Sequence, residues 1–127
     1  MRRRRESPSV YLVLGEDQFL RDRFREEILT ASVPAEAREF ALSRFSLKGT
    51  SLTDVLRQAA TQPMFAPRQV VVVTEVESLR EDELVALADY LEHPPAYTVM
   101  LFEASKLDRR TRASRLLLEQ CEVLLAD

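Results

Sequence analysis

Glycine is nearly absent: the 127 residues contain only Gly15 and Gly49. No Gly-rich loop is therefore available to close backbone N–H groups around a phosphate. A single cysteine, Cys121, excludes an internal disulfide. One cysteine and one histidine, His93, cannot assemble a structural zinc site from soft ligands. A Cys–His nucleophile would need Cys121, inside the apolar run CEVLLA, to meet His93 beside Pro94 and Pro95. A buried small thiol and a loop histidine is the plainer reading. No apolar run approaches the ~20 residues of a membrane span. Val10–Leu14, behind a basic N-terminus, is too short for a signal-peptide core. A cytoplasmic location, no membrane partner and no cofactor are the expectations.

Apolar residues make up 46% of the chain and charged residues 31%, the balance of one globular domain with a real core. The net charge of −3 conceals an asymmetry. Arg2–Arg5 supply four positive charges, so the remainder, −3 less those four, carries −7. By bulk charge that body is not a nucleic-acid surface. Residues 1–8 are expected to be a disordered basic arm, and residues 9–127 the folded domain.

Five apolar runs predict strands at Val10–Leu14, Phe40–Phe45, Gln69–Thr74, Thr98–Phe102 and Cys121–Ala126. The runs VVVV and TVMLF are continuous rather than alternating, as in strands buried on both faces. Between the strands the period becomes helical. Asp17 is a good N-cap for a helix to about Ala31 that carries Leu20, Phe24 and Ile28 on one face. A capping-box pattern, Ser51-Leu-Thr-Asp54, opens a second helix with Leu52, Val55, Leu56 and Ala59 inward, stopped by Pro63. Glu81–Glu92 is the third, with Leu84, Leu87, Ala88 and Leu91, stopped by Pro94-Pro95. The fourth is expected to start near Asp108 and to include Leu116 and Leu117. This alternation implies an α/β fold with a parallel sheet and helices on both faces.

The stretch SVYLVLGEDQFLRDRF has the strand–turn–helix layout of a phosphate-binding unit but not its chemistry. Counted from Gly15, the P-loop's second glycine, lysine and hydroxyl fall on Leu20, Arg21 and Asp22. Glu16 and Asp17 would add two carboxylates beside the phosphates, where like charges repel. The strand Val70–Val73 is followed by Thr74-Glu75, so a threonine stands where an ATPase holds its metal carboxylate. Glu75 alone reads as a surface glutamate after a strand.

Three segments in order, YLVLGEDQFL, SLTDVLRQAATQPMFAPRQVVVV and YLEHPPAYTVMLFEASKLDRRT, resemble the N-terminal domain of the bacterial clamp-loader delta subunits of DNA polymerase III. The resemblance runs from about Tyr11 to Asp127. It implies a three-layer, AAA+-like, P-loop-like domain with a five-stranded parallel sheet ordered 5-1-4-3-2 and a degenerate nucleotide site. In that family delta takes part in DNA replication as a non-catalytic subunit of a DNA-directed DNA polymerase holoenzyme, a nucleotidyltransferase complex. It binds the sliding clamp (the beta subunit) and opens the ring for loading on primed DNA, alongside delta-prime and tau/gamma. The family's lid and collar domains have no counterpart in this sequence, which reads as the first third of such a protein. Two alternatives stand beside this one. One is a non-catalytic P-loop-like scaffold or regulatory domain with another protein partner. The other is an enzyme working through Glu16, Asp17 and Glu75.

In TQPMFAPR, Met64 and Phe65 lie between Pro63 and Pro67, on a stiffened loop between a helix and a buried strand. From the residues alone they read as a hydrophobic plug under the sheet. The resemblance instead implies an apolar pair that enters a pocket of the clamp. Many clamp-binding peptides carry a glutamine four residues before the final aromatic. That slot is Thr61 here, with Gln62 one residue later, so the polar anchor is out of register and the apolar pair is intact. A second candidate is KLDRRTRASR, whose Lys106, Arg109, Arg110, Arg112 and Arg115 form either a helix facing DNA phosphates or a solvated charged face.

Overall fold

The computed structural model describes residues 9–127. The expected basic arm at 1–8 lies outside the described residues. Five strands form one parallel sheet: β1 Val10–Leu14, β2 Leu42–Ser46, β3 Gln69–Thr74, β4 Thr98–Ala104 and β5 Glu122–Leu125. Their spatial order is β2-β3-β4-β1-β5, the 5-1-4-3-2 arrangement read from the other edge. Parallel neighbours need a crossover. The helices are α1 Gln18–Ser32, α2 Arg38–Ala41, α3 Leu52–Ala59, α4 Leu84–Glu92 and α5 Arg112–Gln120.

The central strands are covered on both sides. Leu12, Val71, Val73, Met100 and Phe102 pack with Leu52, Val55, Leu87, Leu91 and Leu117 of α3, α4 and α5. Val13, Val70, Val72, Val99 and Leu101 face the opposite way, onto Ile28 and Leu29 of α1 and Ala41 of α2. The result is three layers, and it explains why the runs at β3 and β4 are continuously apolar.

Local caps set the helix starts. The Asp17 carboxylate accepts from the Leu20 N–H at 3.2 Å, and the Ser51 hydroxyl accepts from the Asp54 N–H at 3.2 Å. The expected third helix begins as a 3-10 turn at Glu81–Glu83 before α4. Buried Glu83 binds the Arg80 N–H at 3.1 Å and the Leu52 N–H at 2.8 Å, so one carboxylate serves the starts of two helices.

Two expectations are corrected. The strand expected at Phe40–Phe45 begins at Leu42, because Phe40 and Ala41 belong to the helical turn α2. Arg38 ties that turn to α1, donating to Glu26 and Thr30 at 2.8 Å each. The helix expected near Asp108 begins at Arg112 instead. The Asp108 carboxylate turns back on the Arg110 N–H and guanidinium, both at 3.0 Å, and Thr111 becomes the cap, accepting from the Ser114 N–H at 3.1 Å.

Candidate functional site

The loop between α3 and β3 leaves Met64 86% and Phe65 72% exposed. The reading of this pair as a plug under the sheet is therefore overturned. What holds the loop is its base. A helix C-terminus leaves carbonyls without intrahelical partners, and here side chains from β3 and the start of β4 serve them. Buried Gln69 donates through Nε2 to the Thr61 carbonyl at 2.7 Å and to the Thr98 hydroxyl at 3.0 Å. Thr98 donates in turn to the Ala59 carbonyl at 2.6 Å, and the Tyr97 hydroxyl donates to the Ala60 carbonyl. Thr61 also closes the helix, its hydroxyl donating to the Arg57 carbonyl at 2.9 Å. Two apolar side chains thus stand in solvent on a proline-flanked loop with a fixed root. Gln62 is exposed, and Pro63 is half-buried.

Phe40 completes this surface, and the sequence reading missed it by assigning it to a strand. It is 63% exposed, and its ring centroid lies 5.6 Å from that of Phe65, tilted by 54°. A four-residue turn has no periodicity long enough to tell which way its aromatic residue points.

At the other end of the strands lies a cleft of about 460 Å³, lined by Arg21, Lys48, Thr74, Glu75, Glu77, Glu103 and Ser105. The carboxyl ends of the strands, where this cleft lies, are where open α/β sheets place their ligand sites. Most of its polar groups already have protein partners. Glu103, 1% exposed, takes a two-point bond from Arg25 at 2.7 Å on each oxygen, which raises the Arg25 pKa. Glu75 accepts from Ser46 and pairs with Lys48 at 3.1 Å, and these contacts hold its carboxyl below the usual glutamate range. Glu77 accepts the Ser105 N–H at 3.1 Å, and the Thr74 hydroxyl donates to the Phe45 carbonyl at 3.3 Å.

The turn after β1 is likewise spent on protein. Gly15 donates to the Ala104 carbonyl at 3.0 Å, and the Asp17 N–H donates to the Ala126 carbonyl at 2.8 Å. Gly15 has φ +146°, and a Cβ there would stand 2.2 Å from the Ala126 oxygen. This glycine admits a crossing backbone at the place where a P-loop glycine admits phosphate. Of the three carboxylates of the enzymatic alternative, Glu16 and Asp17 are exposed, Asp17 caps α1, and Glu75 is paired with Ser46 and Lys48. Among the described residues no group of three or more His, Cys, Asp or Glu side chains could hold a metal ion. Cys121 is buried, and His93 is exposed with Nε2 3.9 Å from Glu92.

The family model described as DNA polymerase III, delta subunit, matches residues 11–126. The chain belongs to that family. Among curated proteins it is similar to DNA polymerase III subunit delta of Bacillus subtilis strain 168. The two are 29% identical over 118 residues, covering 85% of this chain and 34% of that protein. Among solved structures it is similar to the Bacillus subtilis DNA clamp loader delta protein. There the TM-score is 0.82 at 27% identity, over 93% of this chain and 38% of the other. A DNA polymerase III gamma subunit-related protein of Thermotoga maritima shares the fold, with a TM-score of 0.69 at 16% identity, over 96% of this chain and 43% of that one. The delta-family chain therefore spans about a third of the length of the curated relative it matches.

In this delta-family chain the five basic residues do not share one helix. Lys106, Arg109 and Arg110 lie on the loop before α5, and only Arg112 and Arg115 are on it. All five are exposed. Arg110 pairs with Asp108, raising its own pKa and holding the Asp108 carboxyl below its usual range. Arg112 lies 3.4 Å from Glu81. Arg115 donates to the Arg110 carbonyl at 3.2 Å. No helix among the described residues is long and apolar enough to cross a membrane.

Proposed function

We propose that this chain is the clamp-contacting module of a cytoplasmic clamp-loader delta subunit, acting in DNA replication by protein–protein contact. Met64 and Phe65 enter an apolar pocket of the sliding clamp, flanked by Thr61, Gln62 and Pro63. That contact helps to open the ring for loading on primed DNA, in a complex with delta-prime and tau/gamma. The observation that carries the reading is the exposure of both side chains, 86% and 72%, on a pinned loop in a chain of the delta family. Single exposed apolar residues are ordinary, but a contiguous cluster on a rigid base marks an interaction site. The deciding experiment measures affinity between this chain and the purified sliding clamp. Binding that disappears in the Met64→Ala/Phe65→Ala variant supports the reading, and no binding by the parent chain overturns it.

The domain, in this proposal, neither binds nor hydrolyses ATP. Leu20, Arg21, Asp22 and Thr74 replace the phosphate and metal groups, and the Ala126 carbonyl already receives the Asp17 N–H. Isothermal titration with Mg-ATP is expected to show no heat attributable to a site; a micromolar dissociation constant would refute this.

The proposal also turns Lys106, Arg109, Arg110, Arg112 and Arg115 toward primed DNA in the assembled loader. Arg110 and Arg112 already have carboxylate partners, so Lys106, Arg109 and Arg115 carry the larger share. Replacing these three with glutamine should reduce the salt dependence of loader–DNA binding by about 0.7–0.9 in log–log slope per lost phosphate contact. An unchanged slope returns them to a solvated face.

A further inference from the structure

Phe40 is a large exposed side chain that the proposed contact leaves unused, and it touches the ring of Phe65. Its position is imposed from both sides. Arg38, two residues earlier, is bound to Glu26 and Thr30 of α1, and Ala41, the next residue, is buried in the core. With the turn fixed in this way, the ring projects outward and meets Phe65 at 5.6 Å and 54°. Tilted rings at that separation attract one another, with the edge of one near the face of the other. Two aromatic rings from separate segments meet in solvent here, where neither serves the core.

An unsupported ring on a loop samples several rotamers, and only one fits a given pocket. Apparent affinity falls by the fraction of chains in the competent state. A ring already held in place loses less freedom on binding. Met64 has a longer, more flexible side chain that adapts its shape on contact, so orientation matters most at Phe65.

We propose that Phe40 is a positioning residue for the clamp contact: it holds the Phe65 ring in the orientation that enters an apolar pocket on the sliding clamp. The inference rests on the clamp-binding reading above. Phe40 acts through Phe65, so its effect depends on Phe65 being present.

The test is a double-mutant cycle read as affinity for the purified sliding clamp, with a melting temperature for each variant. Phe40→Ala should weaken binding by about threefold to tenfold, the size of one aromatic pair. Phe40→Tyr, which keeps the ring, should bind like the parent. In the Phe65→Ala background Phe40→Ala should have almost no further effect, and all the melting temperatures should match. Phe40→Ala binding as tightly as the parent overturns the proposal. An undiminished loss in the Phe65→Ala background overturns it too, since Phe40 would then contact the clamp itself. So does a collapsed melt in Phe40→Ala, which would assign the residue to the fold. Failure of the clamp reading looks different: the parent chain does not bind, or Met64→Ala/Phe65→Ala binds unchanged.

Discussion

Leaving Met64 and Phe65 in water forgoes about 1.5–3 kcal/mol of burial for each. In a pocket that energy becomes affinity, and anchors of this kind dominate interfaces. Replacing both with alanine is expected to cost about 3–6 kcal/mol of clamp binding, roughly two to four decades in the dissociation constant. The melting temperature should hardly move, because exposed positions contribute little to the core. A collapsed melt would remove the contact from the proposal. Glu103 poses the opposite case, a carboxylate 1% exposed whose charge is matched by Arg25. Arg25→Met should destabilise the fold by about 3–5 kcal/mol in a denaturant titration, since a buried charge is left unpaired. Arg25→Met/Glu103→Leu should recover most of that loss. If the single variant is as stable as the parent, the pair has no structural role.

The element that decides the loop's geometry is the C-terminus of α3. Gln69, Tyr97 and Thr98 together take up the carbonyls of Ala59, Ala60 and Thr61. Gln69→Leu keeps the volume but leaves the Thr61 carbonyl unserved. We expect a loss of about 1–3 kcal/mol in stability, the cost of an unmade buried hydrogen bond. Hydrogen exchange should also speed up locally at Ala60–Thr61, and clamp affinity should fall several-fold although both contact side chains remain. Uniform exchange across the sheet instead would mean that the network supports the fold and not the loop. The composition of this element was legible in the sequence: the Ser51 cap, the inward Leu52, Val55 and Ala59, and Pro63 beyond its end. Its far partners were not, because Gln69 and Thr98 begin strands that read as apolar runs with polar first residues.

Across the whole molecule the two surfaces lie at opposite ends of a parallel sheet. Met64, Phe65 and Phe40 precede β3 and β2, whereas Glu75, Glu103 and Ser105 follow or end β3 and β4. Strands of five to seven residues set the ends roughly 15–20 Å apart. The exposed apolar cluster and the charged cleft are therefore separate surfaces, and a change at one end need not disturb the other. Gly15 ties the cleft end together, and a Cβ there would overlap the backbone at Ala126. Gly15→Ala should destabilise the fold by at least about 3 kcal/mol, through a positive φ and a backbone clash together. Thermal unfolding checks this, and a melt like the parent's would mean that the β5 end is free to shift.

What the sequence by itself determined follows from short-range pattern: the continuous apolar runs of β3 and β4, the caps at Asp17 and Ser51, and the lack of P-loop phosphate-binding residues after Gly15 and of the metal carboxylate after Val73. Each depends on residues within a turn or two of one another, so a linear reading suffices. Tertiary structure alone decided the rest. Arg25 meets Glu103 across 78 positions, and Arg38 reaches Glu26 across 12. The first buries a charge in the cleft, and the second turns Phe40 out of the strand and onto Phe65. Whether an aromatic residue faces core or water depends on which distant groups hold its backbone, and no local period records them.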